Sequence, residues 1–284
     1  MPELPEVEVL VRHLRPLLKN RTIRDIEVRR AKVLLPTSTR QFKAALRDAR
    51  FLDLSRRGKY LVFTLRKAGQ RSTFLLLGHL GMTGRMYLQP ASVPLPKHAA
   101  VVLALGRHNF VFEDTRYFGR LTLDVSALAR LGPEPWSDEF TADYLLRALS
   151  RSMQAIKLKL LDQALVAGVG NIYASEALFQ AGIPPRCAAR RLTRLQVERL
   201  WRAVRSVLSE AIECGSTIPL DYAGAGKRDG LFYFGRSTSA TNYYTERLCV
   251  YDREGCPCPR CGAAIKRLVQ ATRSTFYCRN CQRG

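Results

Sequence analysis

Residues two and three are of types that can do chemistry together. Pro2 follows directly on Met1, and a short second residue usually means that the initiator is cut off. Processing leaves Pro2 with a free secondary amine, followed at once by the Glu3 carboxylate. An amine is a nucleophile only when neutral, and an unperturbed α-amino group titrates at about pH 8. A helix is predicted to begin at Pro5. Its positive end disfavours a neighbouring ammonium, while Glu3 and Glu6 pull the other way. The pair is therefore an amine nucleophile beside a candidate general acid. The same hexapeptide also fits an ordinary helix start, with proline at the first helical position and acids in the first turn.

A second constellation lies at the other end. Cys258 and Cys261, then Cys278 and Cys281, form a C-x2-C…C-x2-C pattern with 16 residues between the pairs. This is the spacing of a four-cysteine zinc ribbon. Four thiolates with no open ligand position predict one closed, structural Zn site that holds the fold and performs no chemistry. The plain alternative is two disulfides. No secretory leader is visible, so a reducing compartment and a cytoplasmic protein are expected. Cys187, Cys214, Cys249 and Cys256 are scattered and read as unligated, although Cys256 is near enough to Cys258 to compete.

Lys and Arg number 46 against 24 acids, for a net charge of +22. That balance is the electrostatic footprint of a nucleic-acid binder. The segment 256–284 alone holds six basic residues and no acid. A membrane is the competing anionic partner, but no run of 18 apolar residues occurs and no basic amphipathic tail stands apart, so none is expected.

These groups need elements to hold them. Val7, Leu10, Val11, Leu14, Leu17 and Leu18 recur at helical spacing, so a helix leads the chain. Strand-like runs follow at 51–54, 60–65, 73–77, 99–105, 109–112 and 121–125, suggesting a β-sandwich or barrel. Leu131-Gly132-Pro133-Glu134-Pro135 punctuates the chain, and the pattern then turns helical. Thr193 to Gln196 is a capping box, with Val204, Val207, Leu208, Ala211 and Ile212 as one apolar face after it. Within this region Gly168-Val169-Gly170-Asn171 reads as a glycine turn with an asparagine cap opening a helix. Such a helix end can receive a phosphate, and it is more often merely structural. Residues 215–254 read as loop leading into the ribbon.

Together these pieces resemble the formamidopyrimidine-DNA glycosylase family, essentially end to end. The likeness rests on Pro2-Glu3-Leu4-Pro5-Glu6-Val7-Glu8, Arg57-Gly58-Lys59-Tyr60-Leu61, His79-Leu80-Gly81-Met82-Thr83-Gly84, Leu131 to Pro135, Leu161-Asp162-Gln163, Gly168 to Glu176, and Thr275-Phe276-Tyr277-Cys278. The resemblance implies an α+β multidomain chain. An N-terminal β-sandwich with its leading helix spans 1–133, a helix–two-turn–helix domain 134–225, a linker 226–248 and a zinc finger 249–284. It implies a bifunctional DNA glycosylase and AP lyase of base-excision repair, acting as a monomer on damaged double-stranded DNA in the bacterial cytoplasm and nucleoid.

The resemblance also implies roles. Pro2 would attack C1′ of an oxidised purine nucleotide, Glu3 would assist opening of the sugar ring, and Glu6 would support the site. Lys59 would contact phosphate near the lesion; its plain alternative is a solvated strand-end charge. Asn171 and Arg273 would clamp phosphates, and His79 and Lys157 would lie on the nucleic-acid face. An enzyme acting at C1′ must flip the nucleotide out of the stack. Met82, Arg116 and Phe118 match the residues that fill the gap, although Met82 and Phe118 also suit a core. Asp114-Thr115-Arg116-Tyr117-Phe118-Gly119 departs from the family's Asp-Pro-Arg-Arg-Phe-Gly, with Tyr117 where a second arginine is usual. Asp252 stands where glycine is usual, and the stretch 232–249 diverges beside the base-covering loop at about 217–234. Two rival readings remain: an endonuclease VIII-like glycosylase for oxidised pyrimidines, and a zinc-ribbon DNA-binding protein without catalysis.

Overall fold

The computed structural model describes residues 2–214 and 248–283. The base-covering loop and all but the last two residues of the divergent 232–249 stretch therefore lie outside the described residues. The chain forms two compact units. Among the described residues the first comprises Pro2 and Glu6–Ala129, and the second comprises Glu3–Pro5 with the chain from Arg130 onward.

Helix α1 (Leu4–Leu18) contributes most of its length to the first unit, where Val7, Leu10, Val11, Leu14 and Leu18 form its buried stripe. Leu17, expected on that face, is exposed. Eight strands follow: β1 (Asp25–Val28), β2 (Ala49–Arg57), β3 (Tyr60–Lys67), β4 (Thr73–His79), β5 (Gly84–Pro90), β6 (Ala99–Ala104), β7 (His108–Asp114) and β8 (Arg120–Thr122). They form two antiparallel four-stranded sheets, β1-β6-β7-β5 and β2-β3-β4-β8. Phe51 and Phe63 from one sheet meet Phe110 from the other, with the Phe63 and Phe110 rings edge to face at 5.7 Å. The expected sandwich is therefore the observed core. Sequence periodicity missed β1, with one buried residue, and β5, which opens on glycine and ends on proline. It also missed α2 (Thr39–Leu46), which buries only Phe42 and Leu46 and starts at a Ser38–Gln41 capping box.

The second unit is helical with one hairpin. Helices α3 (Ala142–Leu149), α4 (Ile156–Leu160), α5 (Asn171–Ala181) and α6 (Arg194–Glu213) precede β9 (Lys266–Gln270) and β10 (Arg273–Tyr277). The Thr193 capping box is present at the start of α6. Nine of the eleven residues of α5 are buried, so this helix is the unit's core rod. Val250, Ile265 and Phe276 of the ribbon pack on Phe179 of α5.

Candidate functional site

The candidate residues divide between the two units. In the first, register brings several together. The β2–β3 hairpin turns on Gly58 and Lys59, and antiparallel pairing sets Tyr60 opposite His79 at the end of β4. Lys59 is buried rather than a solvated strand-end charge. The His79 ring lies 4.8 Å from the Tyr60 ring, and its Nδ1 accepts the Gly81 N–H at 3.1 Å. Burial, with Lys59 and Arg120 nearby, drives the His79 imidazole down to about 4, so it is neutral at pH 7. Pro2 and Glu6 are buried in this unit.

Past His79 the chain makes a tight turn, closed by the Gly84 N–H on the Leu80 carbonyl at 2.8 Å. Gly81 has φ +62, and a Cβ there would stand 2.7 Å from the Gly119 nitrogen, so only glycine lets the two loops touch. The turn exposes Met82, and the facing loop exposes Phe118; they are 45% and 48% accessible, which disposes of the core alternative. Arg116 spans them. Its guanidinium lies 4.7 Å from the Phe118 ring centroid and 3.3 Å from the Met82 sulfur. Asp114, fully buried, organises the loop by accepting from the Thr83 hydroxyl and the Arg116 and Gly119 N–H groups. Sequence reading quoted Asp114 only as a motif letter and gave it no role.

In the second unit the Glu3 carboxylate caps α5. Its oxygens accept the Ile172 and Tyr173 N–H groups at 2.9 and 3.4 Å, where the positive helix end favours a carboxylate. A protein carboxylate at the first turn of α5 agrees with the structural reading of the glycine turn. One expectation is corrected: the cap falls at Gly170, not at Asn171. A Cβ on Gly170 would overlap the Glu3 carboxylate, so that glycine is required by close approach. Gln163, another motif letter without an assigned role, pins the glycine turn by accepting the Gly168 N–H and donating to the Val169 carbonyl.

Lys157, expected on the nucleic-acid face, is completely buried. Its ammonium donates to Asn171 Oδ1 at 2.7 Å, the Ser274 carbonyl at 3.0 Å and Thr275 Oγ1 at 2.6 Å. Its three protons are thus used inside the protein, and the side chain acts through its neighbours. Burial lowers its pKa to about 8, with Glu3 opposing and Arg273 reinforcing the shift. Asn171 donates to the Ser274 carbonyl, placing its amide beside Arg273, which begins β10. Glu176 accepts three backbone N–H groups from Cys249, Val250 and Tyr251, and burial nevertheless raises its pKa. Nothing in the sequence signalled Glu176, because its partners lie more than 70 residues away.

The sulfur atoms of Cys258, Cys261, Cys278 and Cys281 all lie within 4.8 Å of one another. The Cys258–Cys281 and Cys261–Cys278 separations are 3.8 and 3.5 Å. A tetrahedral S4 site with metal–sulfur bonds near 2.3 Å needs sulfurs about 3.8 Å apart, so the four cysteines fit a metal. No disulfide joins any of the eight cysteines. Cys256 is exposed outside the cluster, and burial pushes the Cys249 thiol up to about 11.

Three family models match the chain: the formamidopyrimidine-DNA glycosylase N-terminal domain over residues 1–121, its H2TH domain over 131–221, and a zinc finger found in FPG and IleRS over 255–284. The formamidopyrimidine-DNA glycosylase of Desulfitobacterium hafniense is 41% identical over 289 residues, covering 99% of this chain and all of that protein. The crystal structure of Thermus thermophilus MutM (FPG) matches with a TM-score of 0.81 and 38% identity over 99% of this chain and 98% of that one. A Lactococcus lactis FPG mutant in complex with a Fapy-dG-containing DNA matches with a TM-score of 0.86 and 31% identity over the whole of both chains.

Proposed function

Because the chain belongs to the formamidopyrimidine-DNA glycosylase family, we propose that it excises oxidised purines, 8-oxoguanine and formamidopyrimidines, from duplex DNA and then cuts the strand. The observation that supports this reading most is Glu3, next to Pro2 in the chain and held by two amides of α5. A catalytic carboxylate fixed by a helix end has little orientation left to lose.

Pro2, freed of Met1, attacks C1′ of the flipped nucleotide and the damaged base leaves. The proton shed by the proline nitrogen as its bond to C1′ forms is taken by Glu3. Glu3 returns it to the ring oxygen as the sugar opens to an iminium. The iminium acidifies the neighbouring carbon, and β- and then δ-elimination release the flanking phosphates. Glu6 supports the site. Lys59, Asn171 and Arg273 hold phosphates of the damaged strand, and neutral His79 braces the Lys59 turn. Met82, Arg116 and Phe118 enter the gap left by the flipped base. Lys157 serves by holding Asn171 against the ribbon hairpin. The four cysteines hold one structural zinc ion, which organises the ribbon and takes no part in the chemistry. The protein acts as a monomer in the bacterial cytoplasm. The domains follow the sequence bounds, with 1–133 catalytic and 249–284 the zinc finger.

The test is borohydride trapping on a duplex with one 8-oxoguanine opposite cytosine, after mass spectrometry has established that Met1 is absent. A covalent adduct that disappears in Pro2→Gly is expected. Tight binding with neither adduct nor cleavage, from protein with a free Pro2, would leave a non-catalytic DNA-binding protein. A stronger adduct with an oxidised pyrimidine than with either purine lesion would overturn the substrate assignment.

A further inference from the structure

The loop that bears Arg116 and Phe118, the proposed wedge loop, takes part in a second aromatic–guanidinium pair. Tyr117 stands where the family's loop usually has an arginine, and it adopts φ +52, a conformation that a bulky residue holds only at a cost. Arg30, from the connection between β1 and the following 3-10 turn, lies over its ring. Its guanidinium carbon lies 5.2 Å from the Tyr117 ring centroid. The Tyr117 hydroxyl lies 3.5 Å from His98 Nδ1, a long contact, so the ring's face and not its tip is what Arg30 depends on.

Arg30 is exposed, and among the described residues it has no carboxylate partner. Glu27, three residues earlier, is occupied by Arg29 at 2.6 Å. The backbone that bears Arg30 is tied to the sandwich by the Arg29 and Arg30 N–H groups on the Ala100 carbonyl. A cation–π contact fixes a guanidinium without neutralising it. Arg30 also donates from Nη1 to the Arg29 carbonyl at 3.5 Å, and its remaining N–H groups can still receive an anion.

We propose that Arg30, oriented by Tyr117, binds a backbone phosphate of the duplex beside the wedge loop. It thereby restores from another element the positive charge that the loop lost with its second arginine. The proposal deepens the reading above and rests on it: the ligand is the same duplex DNA, and Arg30 is a positioning residue for it. Tyr117 tolerates its unfavourable backbone because the ring is the platform for that cation.

The experiment measures Kd for a lesion duplex over a range of salt concentrations, together with KM and kcat for strand cleavage. The variants are Arg30→Ala, Tyr117→Phe, Tyr117→Ala and the double variant Arg30→Ala/Tyr117→Arg. Loss of one phosphate contact should raise Kd about 5- to 10-fold at low salt and reduce the slope of log Kd against log salt by about one. In Arg30→Ala, KM should rise with kcat unchanged. Tyr117→Phe should behave as the parent, Tyr117→Ala should lose nearly as much as Arg30→Ala, and the double variant should recover both affinity and slope. An unchanged slope in Arg30→Ala would overturn the proposal, as would Tyr117→Ala protein of parental melting temperature that binds normally. These outcomes are separate from the catalytic reading, whose failure appears as absent borohydride adduct in the parent protein.

Discussion

Glu3 is the residue on which the most geometry converges. Gly170 leaves no room for even a methyl group beside its carboxylate. Gly170→Ala must push the carboxylate off the Ile172 and Tyr173 amides, and a misplacement of about 1 Å costs roughly 100-fold in rate. Strand cleavage should therefore fall by about 100-fold, with a stability loss of only about 1–3 kcal/mol by denaturant titration. A Gly170→Ala enzyme of parental kcat would show that the Glu3 position is irrelevant. His79 makes a different prediction. Its pKa falls from about 6.5 in the unfolded chain to about 4 in the folded one. Above about pH 6.5 both states are neutral; as pH falls below that value, only the unfolded chain takes the proton. The folded state therefore loses stability between about pH 6.5 and 4, by at most about 3 kcal/mol, and the loss levels off below. His79→Gln should flatten this part of the urea-midpoint profile. At this scale the four-cysteine cluster was legible because ligand spacing is local. The partner of Glu3 was not, since it lies 169 residues along the chain.

Among the elements, α5 joins the most parts of the second unit. Glu3 holds its first turn, Glu176 clasps the segment entering the ribbon, and Arg260 reaches the Phe179 and Gln180 carbonyls at its last turn while lying 4.5 Å over the Phe179 ring. Lys157 ties the same helix to β10. Lys157→Met removes a buried donor and strands three acceptors. It should destabilise the protein by about 2–3 kcal/mol and weaken lesion binding, with metal content measured by atomic absorption unchanged. Loss of binding without loss of stability would return Lys157 to direct phosphate contact. Elements with strong periodicity or caps, such as α1 and α6, were readable. Strands β1 and β5 were not: β1 buries one side chain, and the buried positions of β5, Gly84, Met86, Tyr87 and Gln89, neither alternate nor are all apolar. The role of α5 was hidden as well: buried on nearly all sides, it has no amphipathic stripe to reveal which face matters.

For the whole molecule, the net charge of +22 sets the conditions of binding. Each phosphate neutralised contributes about 0.9 to the salt slope, so a clamp of about six contacts should give a slope near −5. A flat dependence would contradict an electrostatic clamp. Chelation of the ribbon metal should abolish lesion binding by releasing β9 and β10, while the Pro2 amine still reacts with a small aldehyde. Verified metal-free protein that binds undiminished would remove the ribbon from the proposed interface. The order of the architecture was legible from the sequence because each region has its own composition: alternating strands, then helical faces, then paired cysteines. The division of the N-terminus was not, for the chain enters the second unit at Glu3–Pro5 before building the first.

That division has a consequence for synthesis. Residue 3 leaves the ribosome among the first, whereas the amides that hold it belong to residues 172 and 173, past the midpoint of a 284-residue chain. Until α5 has been made, a nascent or prematurely ended chain has no amides for Glu3 to settle against. On the proposed mechanism, competence to cut DNA is deferred until translation has passed α5, and a fragment released early lacks its fixed acid.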